Sequence, residues 1–149
     1  MKTVRMLIGL PRSGKSTYTA EMKNGAVVLS ADRLRLLLYG QRFYRGGEAV
    51  MWSFHDIVYK LMLEQGIDII IDETNVMASR RKYYIDLAKE YGYTINGIWF
   101  KTSVEECCQR AINTNQQDLI PVIHQMNGKF VTPEIEEGFG YIETIEQGE

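Results

Sequence analysis

Eight consecutive residues near the start of the sequence have the types and spacing of a phosphate-binding loop. They run Gly9-Leu10-Pro11-Arg12-Ser13-Gly14-Lys15-Ser16 and match the pattern G-x-x-x-x-G-K-[ST] at every fixed position. Gly9 and Gly14 let the backbone approach phosphate closely, and the N–H groups of the loop then bind anionic oxygens. Lys15 can place its charge on the β- and γ-phosphates, and Ser16 can offer a hydroxyl to Mg²⁺. The segment therefore predicts a site for ATP and magnesium.

A second polar segment can supply the chemistry of group transfer. Asp32 and Arg35 are three residues apart and share one face if a helix begins there. Asp32 can then accept the proton of an acceptor hydroxyl, and Arg35 can hold a phosphate of the acceptor through a bidentate contact. The alternative is that Asp32 is only a helix-start carboxylate and Arg35 a surface residue.

A third polar segment, Asp72-Glu73-Thr74-Asn75, follows the apolar run of residues 67–71. An acid at the end of a buried strand is the usual partner of the loop serine around Mg²⁺, so Asp72 is predicted to share the ion with Ser16. Glu73 points to the other side if the strand continues and therefore has a different role. A solvated loop acid is the alternative for Glu73.

Residues 111–118 (AINTNQQD) are polar and are predicted to form a mobile loop that could cover bound ATP as a lid. Arg110 stands at the entrance of this lid. It is either a contact to the nucleotide or a solvated residue at a helix end.

Two short basic groups could contact nucleic acid. In the first, Phe43 and Tyr44 lie between Arg42 and Arg45, and aromatics interleaved with arginines can stack a base while holding its backbone. The second is Arg-Arg-Lys at residues 80–82. Solvated loop and helix charges are the alternative for both groups.

The remaining candidates favour structural roles. His55 and His124 have no partner at a useful spacing and are interpreted as surface or packing residues, and Trp52 as a core residue. The two cysteines, Cys107 and Cys108, are adjacent, a spacing that disfavours both a disulfide and a metal site. They are expected to be reduced helix residues of a cytoplasmic protein.

Alternating strands and helices are predicted to position these polar segments. Predicted strands cover residues 3–8, 26–30, 67–71, 94–100 and 141–145. Predicted helices cover residues 15–22, 32–39, 48–65, about 103–111 and about 121–127, and a further helix is capped by Ser79 and stops at Gly92. The inner side of the 32–39 helix is assigned to Leu34, Leu37 and Leu38, and helical spacing in the 48–65 helix relates Val50, Phe54, Ile57, Val58 and Leu61. This alternation predicts an α/β domain with a mainly parallel sheet, in which polar residues after the strands meet at one edge.

Length and composition are those of a single globular domain. The chain has 149 residues, is 45% hydrophobic and 24% charged, and carries a net charge of −2. This charge argues against a generally basic protein that coats nucleic acid. The longest apolar runs are too short to span a bilayer, so no membrane association is expected.

Taken together, these segments resemble the P-loop kinase family typified by the kinase domain of bacteriophage polynucleotide kinase. The resemblance covers nearly the whole chain. Its motifs are the Gly-Leu-Pro-x-Ser-Gly-Lys-Ser-Thr loop at 9–17, Asp32-x-x-Arg35, Ile-Ile-Asp-Glu-Thr-Asn at 70–75, Lys-Glu-Tyr-Gly-Tyr at 89–93 and the ending at 130–139.

The resemblance implies a three-layer α/β sandwich with a parallel five-stranded sheet of strand order 2-3-1-4-5. It implies one kinase domain at 1–149 with a small lid at about 111–120. The implied nucleotide contacts are Gly9, Pro11, Arg12, Ser13, Gly14, Lys15, Ser16 and Thr17, and the implied metal ligands are Ser16 and Asp72. The implied catalytic residues are Lys15, Asp32 (the general base), Arg35 and Arg110. The implied acceptor contacts are Arg35, Glu73, Thr74 and Asn75.

Two positions depart from the family pattern. Arg12 occupies a loop position that is often glycine and places an extra charge near the γ-phosphate. The family's lid usually carries a second arginine, but residues 113–117 (NTNQQ) contain no basic residue. This second departure favours slow turnover or a role other than that of a kinase.

Three functional hypotheses follow from the sequence. The first is an ATP-dependent kinase whose acceptor is a polynucleotide 5′-hydroxyl, favoured by the basic and aromatic loop, or a small molecule such as a nucleoside, sugar or metabolite. The second is an ATP-gated binding or regulatory module with weak hydrolysis. The third is a subunit of a repair complex that needs a partner protein for its substrate.

Overall fold

The centre of the computed structural model, which describes residues 2–22 and 24–146, is a five-stranded parallel sheet. Its strands are β1 (Thr3–Ile8), β2 (Val27–Leu29), β3 (Ile69–Ile71), β4 (Thr94–Phe100) and β5 (Ile142–Ile145). The spatial order is β2-β3-β1-β4-β5, and every pairing is parallel. The predicted fold class and strand order are confirmed.

Helices follow the strands as the apolar pattern predicts. They are α1 (Lys15–Met22), α2 (Ala31–Tyr39), α3 (Glu48–Glu64), α4 (Ala78–Glu90), α5 (Val104–Asn113) and α6 (Ile120–Lys129). Ser30 caps α2 through a hydrogen bond from the Arg33 backbone N–H, and Gly40 ends that helix in the left-handed region. The prediction that Ser79 caps α4 is wrong, because the helix begins at Ala78 and Met77 occupies the capping position.

The core lies where α3 and α4 cover the sheet. Strand β3 is buried at all three of its residues, because a central parallel strand is covered on both faces. Tyr59 and Leu63 of α3 and Tyr84 and Ile85 of α4 are almost completely buried in the same cluster. Burial on both faces makes β3 a rigid support for the polar segment that follows it.

Helices α2 and α3 expose several apolar residues that the helical spacing of the sequence had grouped on one face of each helix. Leu37 and Leu38 were assigned to the inner side of α2, but Leu37 is 75% exposed and Leu38 is also exposed. On α3, the four residues Val50, Phe54, Ile57 and Leu61 are exposed, whereas the helix buries Met51, His55, Tyr59, Met62 and Leu63. Because α3 carries apolar side chains on two faces, helical spacing alone does not identify the buried one.

The segment predicted as a polar loop at residues 111–118 is more ordered than expected. Helix α5 continues to Asn113, and a 3-10 helix occupies Gln117–Leu119 directly before α6. Only three residues, 114–116, separate the two helical elements. The stretch is therefore a tight connection between α5 and α6, with Asn115 in the left-handed region.

Within residues 2–22 and 24–146, no helix combines the length and the apolar character needed to cross a bilayer. Cys107 and Cys108 are both free and lie on α5, as the sequence predicts. Burial raises the pKa of the Cys107 thiol to about 11, so this thiol stays protonated at neutral pH.

One residue of the second basic group is not on the surface. Arg81 is completely buried, and its Nε and Nη2 donate to the carboxylate oxygens of Glu137 at 2.8 and 3.1 Å. Its Nη1 donates to the Asn75 carbonyl oxygen at 2.9 Å. The interpretation of residues 80–82 as a solvated or nucleic-acid-binding group is therefore wrong for Arg81. Its guanidinium instead joins α4 to the segment after β3 and to the turn before β5.

We expect Arg81→Ala to lower the free energy of unfolding by about 3 kcal/mol, because it leaves the Glu137 carboxylate and the Asn75 carbonyl without their buried partner. Urea unfolding measures this loss. Lys82→Ala is the matched control, since Lys82 forms only an exposed pair with Asp86 and should cost less than about 0.5 kcal/mol. Similar losses in both variants would show that Arg81 is not a structural anchor.

Candidate active site

The phosphate-binding loop is held tightly between β1 and α1. The Gly9 N–H donates to the Thr74 carbonyl at 2.9 Å, and the Thr102 hydroxyl donates to the Ser13 carbonyl at 2.8 Å. A Cβ on Gly9 would lie 2.6 Å from Ser13 Oγ, and Gly14 has a φ of +113°, so glycine is required at both positions. The loop therefore forms a cradle that side chains would fill.

Lys15 buries its amine inside this cradle. Its Nζ donates to the carbonyl oxygens of Gly9 at 2.9 Å and Leu10 at 2.7 Å. Burial lowers the pKa of Lys15 to about 8, although the nearby Asp72 carboxylate acts in the opposite direction. A phosphate group entering the cradle would bring negative charge to an ammonium group that is poorly solvated without it.

Asp72 stands at the end of β3, beside the loop. Its backbone N–H donates to the Leu29 carbonyl at 2.8 Å, which continues the pairing of β2 with β3. Burial raises the pKa of the Asp72 carboxyl, and the positive charge of Lys15 opposes this shift. The Ser16 hydroxyl, in the first turn of α1, and the Asp72 carboxylate are the hard oxygen donors that Mg²⁺ prefers. Among the described residues, no group of three or more His, Cys, Asp or Glu side chains forms a metal site, so an ion here would take its other ligands from nucleotide and water.

Asp32 and Arg35 lie together, as their spacing predicts. Arg35 Nη1 donates to Asp32 Oδ1 at 2.8 Å, and the Asp32 side chain is 67% exposed. Because Ser30 caps α2, the helix does not need Asp32 as its cap. The carboxylate of Asp32 is therefore free to serve the adjoining cavity.

A residue that the sequence did not single out, Glu48, holds the other edge of Arg35. Arg35 Nε and Nη2 donate to the two Glu48 oxygens, each at 2.8 Å. These hydrogen bonds hold the pKa of the Glu48 carboxyl below its ordinary value, so the group is ionised. Glu48 is the first residue of α3, where the helix dipole favours a negative charge. An acid in the first turn of a helix was the only signal of this role in the sequence.

Glu73 is held by a buried polar cluster behind the cavity. The Tyr84 hydroxyl donates to Glu73 Oε1 at 2.5 Å, and His55 Nε2 contacts Glu73 Oε2. The other ring nitrogen of His55 faces Asp56 Oδ1 at 3.2 Å. His55 is completely buried, so of the two roles considered for it, surface or packing, it has the packing role, and it also has polar partners. Its partner Glu73 is 18 residues away along the chain, a spacing that no local pattern reveals.

Trp52 is not a core residue but part of the cavity wall. The guanidinium of Arg80 lies 4.5 Å from the centre of its ring, and that of Arg35 lies 5.8 Å away. Arg80 also donates to Asp56 at 2.9 Å and to the Tyr84 hydroxyl at 2.9 Å. The Trp52 ring therefore lies close to two guanidinium groups. It links Arg35, which binds Asp32 and Glu48, to Arg80, which bonds to the Tyr84 hydroxyl beside Glu73.

An open cavity of about 1030 Å³ brings most of the predicted site residues together. Those that line it are Pro11, Arg12, Gly14, Lys15, Ser16, Thr17, Asp32, Arg35, Asp72, Glu73, Thr74 and Arg110. Three predicted residues lie behind the wall instead: Gly9, Ser13 and Asn75. Asn75 is buried with a φ of +49°, and its Nδ2 donates to the Leu7 carbonyl at 2.8 Å. Its side chain therefore fastens the segment after β3 to β1.

Arg110 reaches the loop from α5. Its Nη1 donates to the Arg12 carbonyl oxygen at 3.2 Å, and its Nε donates to Glu106 Oε2 at 3.2 Å. The same cavity wall includes Gln116 from the connection between α5 and α6. Arg110 is thus part of the site rather than a solvated helix end.

A parallel sheet of this strand order, with a G-x-x-x-x-G-K-[ST] loop between its first strand and first helix, defines a P-loop nucleotide-binding protein. The chain belongs to the AAA-domain family, whose model matches residues 4–141.

Similar proteins agree with this assignment. An L-seryl-tRNA(Sec) kinase of Methanococcus maripaludis is 28% identical over 86% of this chain, and a bifunctional polynucleotide phosphatase/kinase of Schizosaccharomyces pombe is 25% identical over 94% of it. The chain spans 52% and 32%, respectively, of the lengths of these relatives. A crystal structure from Chloroflexus aurantiacus has the same fold, with a TM-score of 0.75 at 15% identity over 98% of this chain and 85% of that one. The resemblance to P-loop kinases is confirmed.

We expect His55→Ala to lower the free energy of unfolding by about 3 kcal/mol, because it removes a buried ring and leaves the Glu73 carboxylate without one of its two buried polar partners. Nucleotide affinity should stay unchanged, since His55 does not line the cavity. Urea unfolding and calorimetric titration with ATP measure the two quantities. His124→Ala, on the exposed face of α6, is the matched control and should change stability by less than about 0.5 kcal/mol. A His55→Ala variant as stable as this control would contradict the structural role.

Proposed function

We propose that this chain is a kinase that transfers the γ-phosphoryl group of ATP to the 5′-hydroxyl of a polynucleotide. The observation that carries the proposal is that one cavity is lined both by Lys15 and the loop and by Asp32 with Arg35. A module that only binds ATP has no need of a further carboxylate and arginine in the cavity that holds its phosphate loop. Membership in a family with kinase relatives supports the same activity.

In this reaction each residue has a distinct task. The acceptor oxygen forms a bond to the γ-phosphorus, the bond from that phosphorus to the β,γ-bridging oxygen breaks, and ADP leaves. Asp32 takes the proton of the acceptor hydroxyl, and Lys15 stabilises the charge on the phosphates. Mg²⁺, held by Ser16 and Asp72, would neutralise negative charge on the β- and γ-phosphates.

The acceptor side of the cavity supports a nucleic acid. Arg42 and Phe43 line it beyond Arg35, and Phe43 is 60% exposed, which leaves an aromatic face for a base. One relative is a polynucleotide phosphatase/kinase and the other acts on a seryl-tRNA, so both names concern nucleic acids. A partner protein in a repair complex, and placement in the cytoplasm, remain predictions from the sequence.

One observation favours a small-molecule acceptor as the second candidate. The Nε and Nη2 edge of Arg35 is already filled by the Glu48 carboxylate, in the bidentate geometry that a phosphate would use. An acceptor phosphate must either displace Glu48 or use the remaining N–H groups of Arg35. An acceptor without a phosphate, such as a nucleoside or a sugar, avoids this competition.

A panel of acceptors with labelled ATP distinguishes these candidates. We expect a 5′-hydroxyl oligonucleotide to be labelled faster than any free nucleoside or sugar, and its labelling to weaken as salt rises, because phosphate contacts release counterions. Lys15→Ala is the control for the nucleotide site and should abolish labelling of every acceptor and tight ATP binding. Labelling of a small molecule without any oligonucleotide would move the assignment to a small-molecule kinase.

We expect Asp32→Asn to slow phosphoryl transfer by about 10² to 10⁴, the usual contribution of a general base. ATP affinity should stay nearly constant, because Lys15 and the loop hold the phosphates. Stability should change by less than about 1 kcal/mol, since the Asp32 side chain is 67% exposed and Arg35 keeps its two hydrogen bonds to Glu48. Single-turnover transfer, calorimetry and thermal melting measure the three quantities.

Asp86→Asn is the matched control for this substitution, since it removes one carboxylate of another exposed pair on the surface. It should leave transfer unchanged. An Asp32→Asn variant that transfers phosphoryl at the rate of this control would remove Asp32 from the mechanism.

A further inference from the structure

The phosphate-binding loop carries two charged residues, Arg12 and Lys15, and only Lys15 has been assigned a task above. We infer that Arg12 contacts the γ-phosphoryl group of the bound nucleotide from within the loop, and that Arg110 positions it by holding its peptide carbonyl. Only one consequence of the inference, an effect of Arg12 on the rate of phosphoryl transfer, rests on the proposed function. The nucleotide contact itself is independent of the acceptor.

The backbone of Arg12 is strained. Its φ is +68°, in the left-handed region that residues other than glycine, asparagine and aspartate rarely adopt. Glycine would satisfy this backbone without strain, so an arginine here destabilises the loop. Strained residues of this kind cluster at ligand clamps, where the side chain gives an advantage that offsets the backbone cost.

The side chain of Arg12 is also short of partners. It lines the cavity, and its Nε is buried without a hydrogen-bond partner among residues 2–22 and 24–146. A buried donor without an acceptor is costly and calls for a ligand that supplies one. Phosphate oxygens bound at the loop are negatively charged acceptors, the kind that a guanidinium prefers.

Two of the other arginines at the cavity, Arg35 and Arg110, are engaged in contacts of their own. Arg35 binds Glu48 and Asp32 through three of its N–H groups. Arg110 bonds to the Arg12 carbonyl, so it acts on the loop through the Arg12 peptide. The connection at residues 114–116 contains no basic residue. Arg12 is a guanidinium carried by the loop itself, and an arginine supplied in cis can stabilise the charge of transfer.

Comparing ADP with a non-hydrolysable ATP analogue tests the contact directly. Calorimetry with Mg²⁺ should show that Arg12→Gly weakens binding of the analogue by about 10- to 100-fold, as expected for loss of a charged hydrogen bond, and leaves ADP affinity within about twofold. The melting temperature should rise by about 2 °C, because glycine relieves the positive φ. A merely structural arginine would not give this combined result, in which the variant is more stable but no longer prefers the ATP analogue over ADP.

Three further variants define the mechanism. Arg12→Lys keeps the charge and the strain, and should retain part of the preference for the analogue. Arg110→Ala should reduce the preference, and the double variant Arg12→Gly/Arg110→Ala should be no worse than Arg12→Gly, since both act through one contact. Lys60→Ala, which removes one exposed charge from α3 far from the cavity, is the control and should change neither affinity.

Two results would overturn the inference. One is an Arg12→Gly variant that keeps the wild-type preference for the analogue over ADP. The other is a variant that loses the preference but melts at a lower temperature, since the arginine would then support the loop rather than the ligand. If the inference holds and no acceptor is ever labelled, only the proposed function fails. If both hold, Arg12→Gly should also slow transfer by about 10³-fold.

Discussion

The buried amine of Lys15 is the constraint on which the rest of the site depends. A charged group is costly to bury, and its lowered pKa of about 8 records that cost. Two features make burial tolerable: the carbonyls of Gly9 and Leu10, which accept from Nζ, and the carboxylate of Asp72. The second feature requires β1 and β3 to be neighbours in the sheet, because the loop follows one strand and Asp72 follows the other. The strand order is thus a requirement of the phosphate site.

Four of the five acids that line the cavity, namely Asp32, Glu48, Asp72 and Glu73, differ in burial and in hydrogen-bond partners. Asp72 is buried beside Lys15, and Glu73 is fixed from behind by Tyr84 and His55. Glu48 is committed to Arg35 by two hydrogen bonds. Asp32 presents a largely exposed carboxylate to the cavity and is paired with Arg35. Chemically similar carboxylates can be assigned different roles when their surroundings differ in this way. The surroundings of these acids favour Asp32 as the proton acceptor.

The sequence predicted the sheet and the loop well, because both depend on local patterns. Apolar runs ending in polar residues marked β1 and β3, and the spacing of Gly9, Gly14 and Lys15 marked the loop. Contacts between distant residues were not predictable in this way. The clearest cases are His55 with Glu73 and Arg81 with Glu137, where buried polar residues find partners only after folding. The prediction of which faces of α2 and α3 are buried failed for another reason. Apolar residues lie on both sides of these helices, so tertiary packing decides which side faces the core.

The location of the arginines near the phosphate site determines whether a lid must close before their charge reaches the nucleotide. If catalytic arginines stood on a lid, the charge would reach the phosphates only after the lid closed. In this chain the connection between α5 and α6 is short and carries no basic residue, while Arg12 stands in the loop and Arg110 bonds to that loop from α5. The charge is therefore part of the rigid framework that also holds Lys15. Preorganised charge of this kind needs no rearrangement at the moment of reaction, so the lack of a basic residue at 113–117 is compatible with a kinase.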